Sequence, residues 1–102
     1  MTLKEYYTHY LSLHKNKICR RFHVAGQIFT ILFICGITYL GLSYNSYFLF
    51  LLTISPFVVY PFAWSGHFFF EKNTPAAFKH PIKAKICDWM MLFDIIRGKI
   101  KF

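Results

Sequence analysis

Acidic residues are scarce in this 102-residue chain: four Asp and Glu stand against twelve Lys and Arg, a formal net charge of +8 with His neutral. Between Arg21 and Glu71 formal charge is absent altogether, and His23 and His67 are the only imidazoles of that stretch. A soluble domain of 12.2 kDa has little room for such a run, because it buries only about two thirds of its surface. Cysteine is scarce too. Cys19, Cys35 and Cys87 are an odd number without C-x-x-C spacing, which supports neither a disulfide framework nor a thiolate zinc site. Five Gly and four Pro are too few for a collagenous or low-complexity chain. A basic, aromatic composition suits nucleic acid only where the charge lines one soluble face; here it is confined to the two ends of the chain, so no nucleic-acid partner is expected.

What the chain does contain is apolar: 56% hydrophobic and 22% aromatic residues, above the roughly 45–50% apolar share of ordinary globular domains. The uncharged stretch divides at Ser43-Tyr44-Asn45-Ser46, a polar turn signal. Residues 24–42 and 47–64 each come close to the ~30 Å hydrocarbon thickness at about 1.5 Å per residue. Pro56 and Pro61 fall in the second segment, where membrane helices accept them as kinks. Tyr44, Tyr47, Tyr60 and Trp64 lie near the segment ends, the headgroup level that amphipathic rings favour. The first segment does not read as a signal peptide, since a long basic stretch precedes it and no small-residue cleavage site follows.

The expected fold is therefore all-α: one membrane domain over residues 1–102, a two-helix hairpin flanked by amphipathic helices. Both flanks are basic and the connecting turn is uncharged, so the positive-inside rule puts both termini on the cytoplasmic side. Leu3, Tyr6, Tyr7, Tyr10, Leu11 and His14 recur at three- and four-residue spacing, as do Ile82, Ile86, Trp89, Phe93 and Ile96. Each pattern reads as an amphipathic helix. Lys83, Lys85 and Asp88 fall off the second stripe, which suits a helix in the membrane interface or packed on the hairpin. Thr74-Pro75 offers an N-cap with Pro at the first helical position. Two spans give little intramembrane packing, which leaves room for a homodimer, although no small-xxx-small pair compels one.

The chemistry lies in five histidines: His9, His14, His23, His67 and His80. His23 opens the first span and His67 closes the second, so a hairpin brings them to the same side of the bilayer. His14 and His23 on one unbroken helix would be about 13.5 Å apart and on opposite faces; sharing a site requires a break, and Asn16 supplies a capping residue for it. His67 and Glu71 are spaced to share one helical face. Neutral imidazoles suit iron, zinc, copper or nickel, and three with open positions fit a non-haem iron or a catalytic zinc. His80 is either a fourth ligand or a loop residue, and His9 sits on a solvated or packing face. A single interfacial His is ordinarily just an amphipathic side chain with a wet tip; it is the convergence of His14, His23 and His67 that argues for a site. Phe68 to Phe70 read as lipid-facing or core packing, and Cys35 as a small hydrophobe.

The residues Tyr10-Leu11-Ser12-Leu13-His14-Lys15-Asn16, His23 and Gly26, and above all Gly66-His67-Phe68-Phe69-Phe70-Glu71-Lys72-Asn73-Thr74-Pro75-Ala76, resemble a small membrane family long filed as domain of unknown function 962. The resemblance covers nearly the whole chain. The family's characterised fungal member is an iron(II)-dependent dioxygenase of 2-hydroxy fatty acids. The resemblance implies Fe(II) as cofactor, O2 and a lipid-like 2-hydroxy acid as substrates, and α-oxidation that shortens the acid by one carbon. It implies His14, His23 and His67 as metal ligands, with a weaker carry-over to His80. Asn16 and Glu71 would support them, and Arg20, Arg21 or Lys72 would neutralise the substrate carboxylate. The membrane would be a bacterial inner membrane or the endoplasmic reticulum, according to source. Two other readings stay open on the residues alone: a zinc-dependent lipid hydrolase, and a non-catalytic membrane protein that binds lipid or a partner protein.

Overall fold

A computed structural model describes residues 2–102, which form helices and turns with no strand among them. Helix α1 runs Leu3–Ser12, its N-cap Thr2 accepting the Glu5 amide N–H. Helix α2, Lys17–Ser43, starts on Asn16, whose side-chain oxygen accepts the amide N–H of Ile18 and Cys19. The break anticipated between His14 and His23 is therefore present, and it ends at the expected cap.

After Tyr44 the chain reverses. A 3-10 segment (Ser46–Phe57), helix α3 (Tyr60–Gly66) and a π-helical turn (His67–Glu71) follow one another back along α2. Gly41 lies against Leu49, Gly26 against Val59, and Gly66 against Cys19, so the two stretches are antiparallel. The returning stretch is not one kinked α-helix. Pro56 and Pro61 lack the N–H groups that an unbroken i→i−4 ladder needs, and the chain divides into tighter and wider turns instead.

Lys17–Ser43 and Ser46–Glu71 are each long and apolar enough to cross a membrane, and only 28% and 11% of their most apolar windows are buried. The core helix of a soluble protein would be buried for most of that length. Ile28, Phe29, Ile31, Leu32 and Leu42 on α2, and Phe50, Ile54 and Phe57 on the returning stretch, all face outward. Contiguous apolar surface of this kind supports membrane association.

Helix α4, Pro81–Ile96, begins at His80 with Pro81 in its first turn. Of its expected stripe, Ile82, Ile86, Phe93 and Ile96 are exposed and Trp89 is half-buried, while Ala84, Cys87, Asp88 and Met91 are buried and pack with Tyr6 and Tyr10 of α1. The off-stripe position of Asp88 is thus an interior one, and the expected apolar stripe is the face α4 leaves open. Tyr7 of α1 adds a 2.6 Å hydrogen bond to the Asp94 carboxylate.

Two outcomes follow from this packing. A Cβ on Gly26 would lie 2.9 Å from Val59 Cγ2 and 3.1 Å from its Cα, whereas one on Gly36 meets nothing within 4 Å. Gly26→Val should cost about 1–3 kcal/mol in denaturant unfolding in detergent, and Gly36→Val should stay within about 0.5 kcal/mol of wild type. Burial, and then the bond to Asp94, raise the Tyr7 hydroxyl above its ordinary 10.0. The folded chain therefore holds this proton where the unfolded chain releases it, and the associated stability is complete below 10.0 and lost as pH rises beyond it. A Tyr7→Phe chain should lose less stability than wild type between pH 10 and 11.

Candidate metal centre

The three histidines singled out from the sequence meet in the interior. His14 follows α1, and its ring stacks on Tyr10 at 4.0 Å between centroids. His23 lies on the second turn of α2, and His67 opens the π-helical turn. All three are at most 2% exposed. Ring centroids are 4.5 Å apart for His14–His23 and for His14–His67, and 5.1 Å for His23–His67.

The outer nitrogen of each ring is already committed. His14 Nδ1 is 2.7 Å from the Tyr10 carbonyl oxygen, and His23 Nδ1 is 3.1 Å from that of Cys19. A carbonyl oxygen only accepts, so both Nδ1 atoms carry the proton. His67 Nδ1 is 2.7 Å from Asn73 Oδ1, and Asn73 Nδ2 donates to the Leu13 carbonyl at 3.0 Å. That second bond sets the amide orientation, so His67 Nδ1 is a donor as well. Each ring is therefore the tautomer whose Nε2 offers a lone pair.

His14 Nε2 and His23 Nε2 lie 3.0 Å apart, and one ligating nitrogen from each of the three rings falls within 4.8 Å of the others. Two lone pairs at that distance with no proton between them repel, and a cation between them removes the conflict. Two nitrogens each about 2.0–2.1 Å from one ion are about 3 Å apart when they meet it at right angles. The residues present thus fit a metal ion. The donor set alone is compatible with iron, zinc, copper or nickel.

Charge around the cluster is arranged to keep it neutral. Burial first, then the His23 and His67 rings and the Arg20 guanidinium, hold His14 well below its ordinary 6.5. Asp88 Oδ1 lies 3.7 Å from His23 Nε2 and accepts the Tyr10 hydroxyl proton. Burial pushes the Asp88 carboxyl up to about 8; a neighbouring cation would favour its ionised form.

The chain belongs to a known family. A family model described as "2-hydroxy-palmitic acid dioxygenase Mpo1-like" matches residues 1–100. No curated protein and no solved structure matches the chain.

Other residues of this Mpo1-like chain that the sequence brought forward lie around the cluster in different ways. The Asn16 backbone N–H donates to the Glu71 carboxylate, tying the start of α2 to the end of the π turn. Arg20 Nη1 donates to the His14 and Lys15 carbonyls at 2.9 and 2.8 Å, which staples the segment carrying His14. Arg21 meets the Phe102 carbonyl at 3.2 Å. Lys72 is exposed in a left-handed conformation with φ 59°. His80 is exposed at the start of α4 and packs edge-on to Tyr6 at 5.4 Å; His9 packs on the same ring at 6.2 Å. The structure does not bring His80 or His9 into the three-ring cluster.

Two residues of the site escaped the sequence reading. Asn73 reaches His67 only because the π turn and the left-handed Lys72 fold the chain back, and no regular spacing encodes that. Asp88 carried a weak signal, since Ala84, Cys87, Asp88 and Met91 recur at helical spacing and form a second face of α4.

Asn73 fixes the tautomer and the orientation of a candidate ligand. Asn73→Ala should weaken metal binding about 10–100-fold, measured by anaerobic titration against a competing chelator.

Proposed function

We propose that this chain is a membrane-embedded non-haem Fe(II) dioxygenase that acts on 2-hydroxy fatty acids. The observation that carries this reading is the convergence of one ligating nitrogen from each of His14, His23 and His67, in a chain that belongs to the Mpo1-like family. The reaction balances with O2 as the only oxidant: a 2-hydroxy acid and O2 yield the acid one carbon shorter, CO2 and water. The bond between C1 and C2 breaks, and the substrate supplies all four electrons, so no 2-oxoglutarate is required.

His14, His23 and His67 would hold the ion. Bound Fe(II) would supply a Lewis-acidic point for the hydroxyl and carboxylate of the substrate, and reactivity toward O2. The protein's own contribution is placement. The Tyr10 carbonyl, the Cys19 carbonyl and Asn73 hold the three rings in the required tautomer. Asn16 and Glu71 hold the break before α2 closed, and Arg20 fixes the backbone of His14. Arg20, Arg21 and Lys72 add positive charge at this end of the molecule and favour the approach of a carboxylate. Tyr10 and Asp88 form a buried pair beside His23 able to hold or pass a proton. Burial of the cluster excludes bulk water from the reacting groups.

In this reading α2 and the returning stretch form a membrane hairpin. Both termini are on the cytoplasmic side of a bacterial inner membrane or the endoplasmic reticulum, as the basic flanks favour. The site then sits at the membrane boundary, where an acyl chain can stay in lipid while its acid group reaches the metal.

The test is turnover by detergent-purified protein loaded anaerobically with Fe(II) and then given 2-hydroxypalmitic acid and O2. Pentadecanoic acid should appear by mass spectrometry and vanish in His67→Ala. Tightly bound iron without that product would contradict the proposed reaction. Hydrolysis of a lipid ester by zinc-loaded protein, with no oxygen consumed, would replace it.

A further inference from the structure

A second space adjoins the imidazole cluster. A groove of about 240 Å³ runs between α2, the 3-10 segment and α4, with Gln27, Thr30, Ile34, Val59, Asp88 and Trp89 among its walls. Asp88 also lines the enclosure that contains His14, His23 and His67, so the groove begins where the cluster ends. Gln27 is one helical turn beyond His23 on the same face of α2. At the other end Ile34 is 38% exposed, on the outward apolar surface of α2. The groove thus runs from a polar, buried end at Asp88 to the outer surface at Ile34, and Lys85, whose Nζ donates to the Pro56 carbonyl at 2.5 Å, lines it too.

Its inner end holds an unsatisfied group. Gln27 Nε2 donates to the Asp88 carbonyl at 2.6 Å, which fixes the amide. Gln27 Oε1 then has no hydrogen-bond partner, although the residue is only 1% exposed. A buried acceptor without a donor is costly and calls for an occupant. An ionised fatty acid cannot supply one, since a carboxylate only accepts. A hydroxyl beside the carboxylate can.

We propose that this groove binds the acyl chain of the 2-hydroxy acid, with the 2-hydroxyl donating to Gln27 Oε1 and the first methylenes lying between Thr30, Ile34, Val59 and Trp89. The substrate's identity rests on the function proposed above; the groove and its unpaired acceptor do not. At about 240 Å³ the groove is smaller than the ~300–1,000 Å³ that encloses a whole drug-sized ligand. It holds the head of the chain and leaves the tail against the exposed face of α2. Gln27 is then the residue that distinguishes a 2-hydroxy acid from an unsubstituted one, because a site built to bond a hydroxyl discriminates against the analogue without it.

The experiment is equilibrium binding of tritiated 2-hydroxypalmitic acid to the purified full chain under argon, competed by palmitic acid, so that turnover does not intervene. Wild type should bind the hydroxy acid at least about tenfold more tightly than palmitic acid, a difference of ~1.4 kcal/mol. Gln27→Leu should bring that ratio close to one by weakening the hydroxy acid alone. Ile34→Phe, placed at the exposed mouth where it leaves the core untouched, should weaken both acids and preserve their ratio. An unchanged ratio in Gln27→Leu, unchanged affinities in Ile34→Phe, or no binding of either acid would overturn the inference. A Gln27-dependent preference in a chain that never yields the shortened acid would keep the groove and reject the dioxygenase. Shortened acid from a chain whose preference ignores Gln27 would do the reverse.

Discussion

Three unprotonated ring nitrogens share one small space, and most of the polar structure around them serves that arrangement. Each imidazole has its Nδ1 proton drawn outward by an acceptor, two backbone carbonyls and one Asn oxygen. What remains inside is a set of lone pairs that only a cation can reconcile. The chain bends to produce this. The break between α1 and α2 turns His14 back toward His23, and the missing side chain of Gly66 lets the returning stretch approach α2 closely, since a Cβ there would lie 3.1 Å from Cys19 Cα. His67 opens the π-helical turn that ends this stretch, and π turns are frequent at functional sites.

The molecule divides its surface accordingly. The outward faces of α2, of the returning stretch and of α4 are apolar and open. The buried face of α4 packs on α1 and carries Asp88 to the edge of the cluster. A carboxylate in so basic and apolar a chain is expensive to bury alone. Here the Tyr10 hydroxyl donates to it, burial favours its protonated form, and Gln27 anchors the same residue through its backbone.

Much of this was legible in the residues themselves. The uncharged run, the turn at Ser43-Tyr44-Asn45, the capping role of Asn16 and the meeting of His14, His23 and His67 all follow from charge, spacing and capping chemistry. The 3-10 character of Ser46–Phe57 and the π turn were not legible, because hydrophobic period does not distinguish these windings within a continuously apolar segment. Asn73 carried no signal of its own beyond its place in the Gly66–Ala76 motif, since its bond to His67 depends on a left-handed Lys72. Asp88 was read off the apolar stripe of α4; that placement was right about the stripe and silent about the opposite face, which is interior because α1 covers it.

The most direct test of the central claim is X-ray absorption at the iron edge of anaerobically loaded protein. One iron per chain with three imidazole nitrogens is expected, with the loss of one imidazole's scattering in His14→Ala. Iron bound by oxygen donors alone, or a spectrum unchanged in that variant, would contradict it.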